Sequence, residues 1–446
     1  MAGAYLRSHE EGWRNPKHRG QWRSTLERYV FPAIGATPVA LASVRPGVVG
    51  DQALREAVSM LEAIALQGAV REPAVRVCRD EQDDGVWLDL GREDWGLVHV
   101  NAQGWRLVPG ANVPLLRPRG LRPLPVPVRV DRDLALADLR RLLNLRPGEA
   151  GQPSGDIVLA VLWLVSVLYP RGPYPVLALD GEQGSAKTTM SLVMRRLADP
   201  NLADIQPMPK QERDLALACR NGRLLALDNL SSIAPDMADA LCRVATGSGF
   251  RERQLYTNDE ENMGWVQNPV LLNGIPALLA RGDLADRAIA LTLPAIPDHL
   301  RRTEVDFWRE FDTAAAGILG LLLDAIATAL RRLPEVRLER PPRMADFAWL
   351  ACAAAPAFGW SEGQVLAALE ENRAAAVAGV IEADAVAATI LALAQEHGAW
   401  IGTPSELNRT GMAGGFCAWV MPPGRLSPVG HSSAPRPRRE GCFRSA

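Results

Sequence analysis

Nine consecutive residues concentrate the chemical potential of this chain: Gly181, Glu182, Gln183, Gly184, Ser185, Ala186, Lys187, Thr188 and Thr189. A loop that turns through small residues points successive backbone N–H groups inward and forms a nest for an anion. A helix that starts at its end adds the positive pole of its dipole. Lys187 can then reach the outer oxygens of a polyphosphate, and the hydroxyl of Thr188 can hold Mg²⁺. The chemistry implied is the binding of ATP with Mg²⁺ as its metal. The strict pattern places glycine before the lysine, where this chain has Ala186. Alanine gives up the freedom of positive φ, so the reading requires ordinary dihedrals at that position.

The flanking residues supply elements to carry such a loop. Pro175 to Leu179 is an apolar run with the character of a buried strand, and Leu192, Val193 and Leu197 follow at helical spacing. Further on, Arg223 to Asn229 (RLLALDN) reads as a second buried strand that delivers Asp228 beside Thr188, where both could hold Mg²⁺. The neighbouring Asn229 cannot accept a proton, so either Glu182, Glu260 or Glu261 assists, or hydrolysis is slow. A third apolar run, PVLLNG, ends in Asn273, and RGDLADRAIALTL places Arg281 and Arg287 ahead of a fourth. Between these, Asp204 to Met208 reads as a strand, and Glu212 to Arg220 and Pro235 to Ala245 as helices. The segment from Phe250 to Trp265 reads as a hairpin turning at Thr257 to Asp259 and carrying Arg251, Arg253 and Tyr256, which the second resemblance below implies as DNA contacts.

Bulk properties narrow the class. The 446 residues suffice for two to four domains, and 48% apolar with 22% charged content is that of a globular protein. A formal net charge of -2 gives no overall basic signal, so contact with nucleic acid must come from local patches. Lys17, Lys187 and Lys210 are the only lysines, which singles out Lys187. The six cysteines are scattered, without a CxxC pair or an accompanying histidine pattern, which fits reduced thiols in the cytoplasm. The apolar run Ile157 to Tyr169 is too short to cross a bilayer comfortably and reads as a buried helix, with no membrane role.

The expected fold class is α/β: a parallel sheet flanked by helices, a small α+β domain before it and a helical region after it. Residues 1–50 form a helical fragment in which Arg14, Lys17 and Arg19 lie among Trp13 and Trp22 and could face a DNA backbone. Residues 51–128 open with a helix (Leu54, Val58, Leu61, Ile64) and continue as an antiparallel sheet with strands at Ala74–Cys78, Val86–Leu90, Gly96–Val100 and Trp105–Val108. The proline-rich stretch Pro114 to Pro127 reads as a linker. Residues 129–300 hold the nucleotide core, and 301–400 are rich in alanine and leucine and helical, with Trp308, Trp349 and Trp360 in their core. Residues 401–446 begin like a winged helix and pass into a Gly, Pro, Ser and Arg tail without periodicity, which reads as a truncated and disordered end.

Two resemblances extend this reading. Residues 13–39, WRNPKHRGQWRSTLERYVFPAIGATPV, resemble the core-binding domain of tyrosine recombinases (phage integrases) over residues 5–45, without that family's later catalytic set. The series GEQGSAKTT, LLALDN, PVLLNG and DLADR resembles the AAA+ P-loop ATPase core, in particular superfamily 3 helicases and phage primase–helicases. That likeness implies catalytic roles for Lys187, Asp228, Asn229, Asn273 and Arg287. Asn273 would orient the attacking water, and Arg287 would act as a finger in the neighbouring subunit's site. Such a finger is worth roughly 10³–10⁵ in rate, which implies a homo-oligomeric ring acting on single-stranded or forked DNA. The implied function is an ATP-dependent DNA helicase or translocase of a phage or integrated element. The alternatives are a catalytically weak, decayed nucleotide-binding protein and a DNA-binding protein led by its N-terminal segment.

Overall fold

The computed structural model describes residues 51–65, 73–110, 113–148, 152–253, 261–274, 282–383, 387, 390 and 391. Residues 1–380 form one unit, and residues 381–446 a second, of which only a few residues are described. A helix α1 (Asp51–Ala65) comes first. The strands β1 (Ala74–Val75), β2 (Val77–Arg79), β3 (Val86–Asp89), β4 (Gly96–Asn101), β5 (Gly104–Pro109) and β6 (Leu115–Leu116) follow. Strands β2 to β5 form an antiparallel sheet in sequence order, as their alternation predicts, while β1 pairs with β6 in parallel.

Two expectations in this region change. The run Ala74–Cys78 is not one strand, because Arg76 interrupts it with a φ of 68°. The reason lies in its side chain: the fully buried guanidinium turns inward to Asp199 and to the carbonyls of Asp89, Arg122 and Pro200. The proline-rich stretch is a packed strap rather than a linker. Leu124 is buried and its N–H donates to Leu90 O, while the Arg122 N–H donates to Pro200 O.

Two helices lead into the larger sheet, α2 (Arg132–Leu142) and α3 (Gly155–Val167). Asp131 caps the first and Ser154 the second, each accepting from a backbone N–H of the opening turn. Every residue of α3 from Ile157 to Val167 is buried, so its apolar run is core. The parallel strands are β7 (Val176–Gly181), β8 (Leu225–Leu230), β11 (Val270–Gly274) and β12 (Ala288–Leu293), in the order β12-β7-β11-β8 with α4 (Lys187–Ala198), α5 (Glu212–Arg220) and α6 (Pro235–Thr246) among the connections. The antiparallel hairpin β9 (Ser248–Arg253) and β10 (Glu261–Val266) and the short helix α7 (Gly282–Ala285) complete the core. Asp204 to Met208 makes a single parallel bridge, Gln206 to Leu227, instead of a strand.

Alternation along the strands explains why this sheet is covered on both sides. Leu177, Leu179, Ala226, Leu271 and Leu291 enter one apolar cluster with α3 and α4. Val176, Leu225, Leu227, Val270 and Leu272 enter another with α5 and α6. The first cluster also takes in the helices α8 (Glu304–Arg332), α9 (Ala345–Ala354) and, in part, α10 (Glu362–Ala383). Trp360 is buried in it, with Trp308 and Trp349 packed against its edge. Helix α8 is long and apolar enough to cross a membrane, yet 72% of its most apolar window is buried within the protein.

Candidate phosphate-binding site

All four parallel strands end on one side of the sheet, and the residues singled out from the sequence gather there. The loop after β7 is drawn tight by Gly181, whose φ is 143°. A Cβ at that position would stand 2.6 Å from Leu293 O and 2.8 Å from Ser185 Oγ, so only glycine fits. Glu182, Gln183 and Gly184 form the exposed crest of the loop, and Ser185 returns to a buried position.

Ala186 overturns an expectation. It lies in the left-handed region at φ 59° and ψ 31°, the conformation for which glycine is favoured. The loop keeps its shape here at the cost of backbone strain in a residue with a Cβ, about 1 kcal/mol. Ala186→Gly should therefore stabilise the protein by roughly that amount and raise the Tm by about 1 °C. A thermal melt is the check, and a lower Tm would count against a left-handed Ala186. The same residue precedes α4 without providing a side-chain cap, so the first N–H groups of that helix face the loop with no capping side chain.

The side chains beyond it are mutually engaged. Lys187 Nζ donates to Gly181 O at 2.7 Å and Glu182 O at 2.9 Å, which holds the ammonium under the loop. Thr188 Oγ1 donates to Asp228 Oδ1 at 3.3 Å. Asn273 Nδ2 bonds the same carboxylate oxygen and lies 3.3 Å from Thr188 Oγ1. Thr189 follows in the first turn of α4. Thus a hydroxyl, a carboxylate and an amide from α4, β8 and β11 meet at one point.

A bulge makes this meeting possible. Leu272 pairs with Leu227 and Gly274 with Leu230, so Asp228 and Asn229 together oppose Asn273 alone. Asn229 takes up the extra residue in the left-handed conformation, with φ 57°, and its side chain is exposed. Asparagine tolerates that conformation better than glutamate does, which gives a local reason for its presence. Among the described residues, no carboxylate other than Asp228 bonds Thr188 or Asn273.

Arg287 is elsewhere. Ala288 pairs with Val176 and Leu293 with Gly181, so Arg287 stands beside the beginning of β7. That is five strand steps, roughly 17 Å, from the phosphate loop of the same chain. It is ion-paired with Asp283, which pushes the guanidinium higher still, while the bond from Arg287 holds the Asp283 carboxyl below the usual carboxylate range. Arg251 and Arg253 lie on β9. Tyr256, Arg281, Glu260, Arg14, Lys17 and Arg19 lie outside the described residues.

Three further residues belong to this picture. Asn144 donates to Ser185 O at 2.8 Å and Pro294 O at 2.7 Å, clamping the loop to the end of β12. Arg301 extends over the loop, its Nη2 3.6 Å from where a Cβ of Gly184 would stand. At the other end of the sheet, Trp265 on the hairpin is 63% exposed. Sequence spacing places neither Asn144 nor Arg301, although the Arg301-Arg302 pair after the last parallel strand is a visible hint, and it places Trp265 only as the end of the hairpin.

A family model described as actinomycete integrative conjugative element replication protein matches residues 139–376. A second, described as phage integrase central domain, matches residues 1–49, in agreement with the resemblance read over residues 5–45. No curated protein matches the chain. Similar solved structures include the A form apo structure of NrS-1 C terminal region, 11% identical, covering 51% of this chain and 64% of that one, with a TM-score of 0.32. The A form apo structure of residues 305-718 of the same region is 12% identical, covering 44% and 46%, with a TM-score of 0.29. The apo structure of residues 305-718 is 11% identical, covering 66% and 71%, with a TM-score of 0.34. The chain thus spans 64% of the length of the first of these.

Proposed function

The chain belongs to the family of actinomycete integrative conjugative element replication proteins, and on that premise we propose that its parallel-sheet unit is an ATP-hydrolysing motor of the AAA+ type that acts on DNA. The observation that carries this reading is the convergence of Lys187, Thr188, Asp228 and Asn273 at the ends of adjacent elements. The strand order β12-β7-β11-β8 supports it, since it sets the phosphate loop and the Asp228 strand on either side of the Asn273 strand.

In this reading the donor set fits Mg·ATP: a hydroxyl and a carboxylate for the metal, with backbone N–H groups and one ammonium for the phosphates. Bound Mg²⁺ would neutralise charge on the phosphate oxygens. Lys187 would exchange its two carbonyl partners for phosphate oxygens, and Thr188 and Asp228 would hold the metal. Asn273, fixed against Asp228, is positioned to orient a water. Arg301 adds positive charge from the same chain. Arg287, too far from its own loop, would serve a neighbouring subunit in a ring, after release from Asp283.

The DNA side of the proposal rests on the family and on the integrase-like match at residues 1–49. The hairpin β9–β10 leads directly into the start of β11, at the end of the sheet away from the phosphate loop. Its base is anchored by Gln267, which donates to Thr246 O, and by buried Asn268, which donates to three carbonyls. Exposed Trp265 offers a stacking face for an unpaired base. Trp265→Ala should weaken single-stranded DNA binding by about 1–3 kcal/mol, or 5- to 150-fold, in a fluorescence anisotropy titration.

Phosphate release by the full chain, with Mg²⁺ and with or without single-stranded DNA, tests the motor reading. Release stimulated by DNA is expected; none under either condition defeats it. Asn229 favours a second reading, in which nucleotide is bound but turned over slowly, because this position carries no proton acceptor. Binding of ATP without phosphate release would select that reading.

A further inference from the structure

The small antiparallel sheet carries a second constellation, remote in sequence from the phosphate loop. Asp80 and Asp83 lie in the turn between β2 and β3, and His99 lies on β4. These three offer ligand atoms that all fall within 4.8 Å of one another. His99 is 4% exposed, its ring centroid 4.3 Å from that of Trp87. Its Nε2 stands 3.1 Å from Asp80 Oδ2 and 3.4 Å from Asp83 Oδ1, yet it hydrogen-bonds to neither.

The two carboxylates are oriented by other donors. Trp87 Nε1 donates to Asp80 Oδ2 at 2.9 Å, and Gln82 N donates to Asp80 Oδ1. Gly85 N donates to Asp83 Oδ1 at 3.0 Å, and Asn101 Nδ2 donates to Asp83 Oδ2. Such outer bonds hold a metal's ligands in place. The two separations from His99 also fit: imidazole nitrogen and carboxylate oxygen bind Zn²⁺ at about 2.0–2.2 Å, which sets neighbouring ligand atoms roughly 2.9–3.6 Å apart. Gly85 keeps the space open. A Cβ there would lie 2.6 Å from Asp83 Oδ1 and 3.0 Å from His99 Nε2.

We propose that Asp80, Asp83 and His99 form a binding site for a first-row divalent transition-metal cation of the Zn²⁺ class, completed by water. One imidazole with two carboxylates suits such a cation better than Mg²⁺ or Ca²⁺, which take oxygen ligands. Asp83 is the open side of the site, with its side chain 37% exposed, and the cation would tie the 80–85 turn to β4.

The test is calorimetric titration of Zn²⁺ into the metal-depleted full chain, with bound zinc counted by elemental analysis. One equivalent is expected for the wild type, together with a higher Tm. His99→Gln and Gly85→Ala should lose that equivalent, and Asp83→Asn should weaken it by at least tenfold. Lys187→Ala and Asp228→Ala should keep it, which separates this site from the phosphate loop. Should His99→Gln fail to fold, Gly85→Ala and Asp83→Asn decide. No uptake by the folded wild type, or one equivalent retained in both of those variants, overturns the proposal and leaves His99 packed against two aspartates without a cation.

Discussion

Replacing Lys187 by alanine should lower ATP turnover by roughly 10²–10³-fold, the loss that follows removal of a preorganised donor to developing charge. The fold should be little disturbed. Lys187 is half-buried, and among the described residues its Nζ bonds only the carbonyls of its own loop and, at 3.5 Å, Ser185 Oγ. A melt within a few degrees of wild type, alongside lost phosphate release, is the expected pair of results. A large fall in Tm would mean that the ammonium is a structural strut of the loop. Because Lys187 is one of three lysines in the chain, no nearby lysine on the loop can substitute for it.

The second large effect is on stability, at Asp199. Its carboxylate is fully buried and receives Arg76 Nε at 3.0 Å and the backbone N–H groups of Arg223 and Leu224, with Arg195 Nη1 at 3.2 Å. This one residue joins the antiparallel sheet, through Arg76, to helix α4 and the approach to β8. Asp199→Ala leaves two buried guanidinium groups without their counter-charge, which costs about 3–5 kcal/mol. A fall in Tm of roughly 4–6 °C is expected by scanning calorimetry. Burial alone would raise the Asp199 carboxyl, but Arg195, Arg76 and the N–H donors overcome it and hold the pKa below the ordinary value of 3.8. A carboxyl depressed in the folded state contributes fully above its unfolded pKa, and the contribution is lost as pH falls through the folded one. The gap between wild type and variant should therefore stay constant from neutral pH to about pH 5 and narrow only below about pH 4. A gap that already narrows between pH 7 and pH 5 would contradict this.

Much of the core was legible because its signals are local. A buried strand reads as an apolar run, and β7, β8, β11 and β12 all do. Asp228 and Asn273 could be placed beside Thr188 because strand ends in a parallel sheet share one side. What could not be read was conformational or distant. The bulge at Asp228-Asn229 depends on the fit of β8 against β11, which no spacing shows, and the left-handed turn at Ala186 belongs to the closure of the loop onto α4. Arg76 broke an expected strand to reach a carboxylate 123 residues away. The proline-rich strap looked like a linker because its packing partners, Leu90 and Pro200, are far off in sequence. Arg287, expected as a finger for a neighbouring subunit, stands at the opposite end of the sheet from its own loop, a placement that only the register of β12 against β7 gives.

The central claim is that the loop between β7 and α4 binds Mg·ATP through Lys187, Thr188 and Asp228. The most direct measurement is equilibrium binding of a fluorescent ATP analogue to the full chain, with and without Mg²⁺. Saturable binding that is tightened by Mg²⁺ is expected for the wild type. Lys187→Ala should weaken it at either condition, and Asp228→Ala should abolish the effect of Mg²⁺. No binding by the folded wild type, or binding unchanged in both variants, would contradict the account.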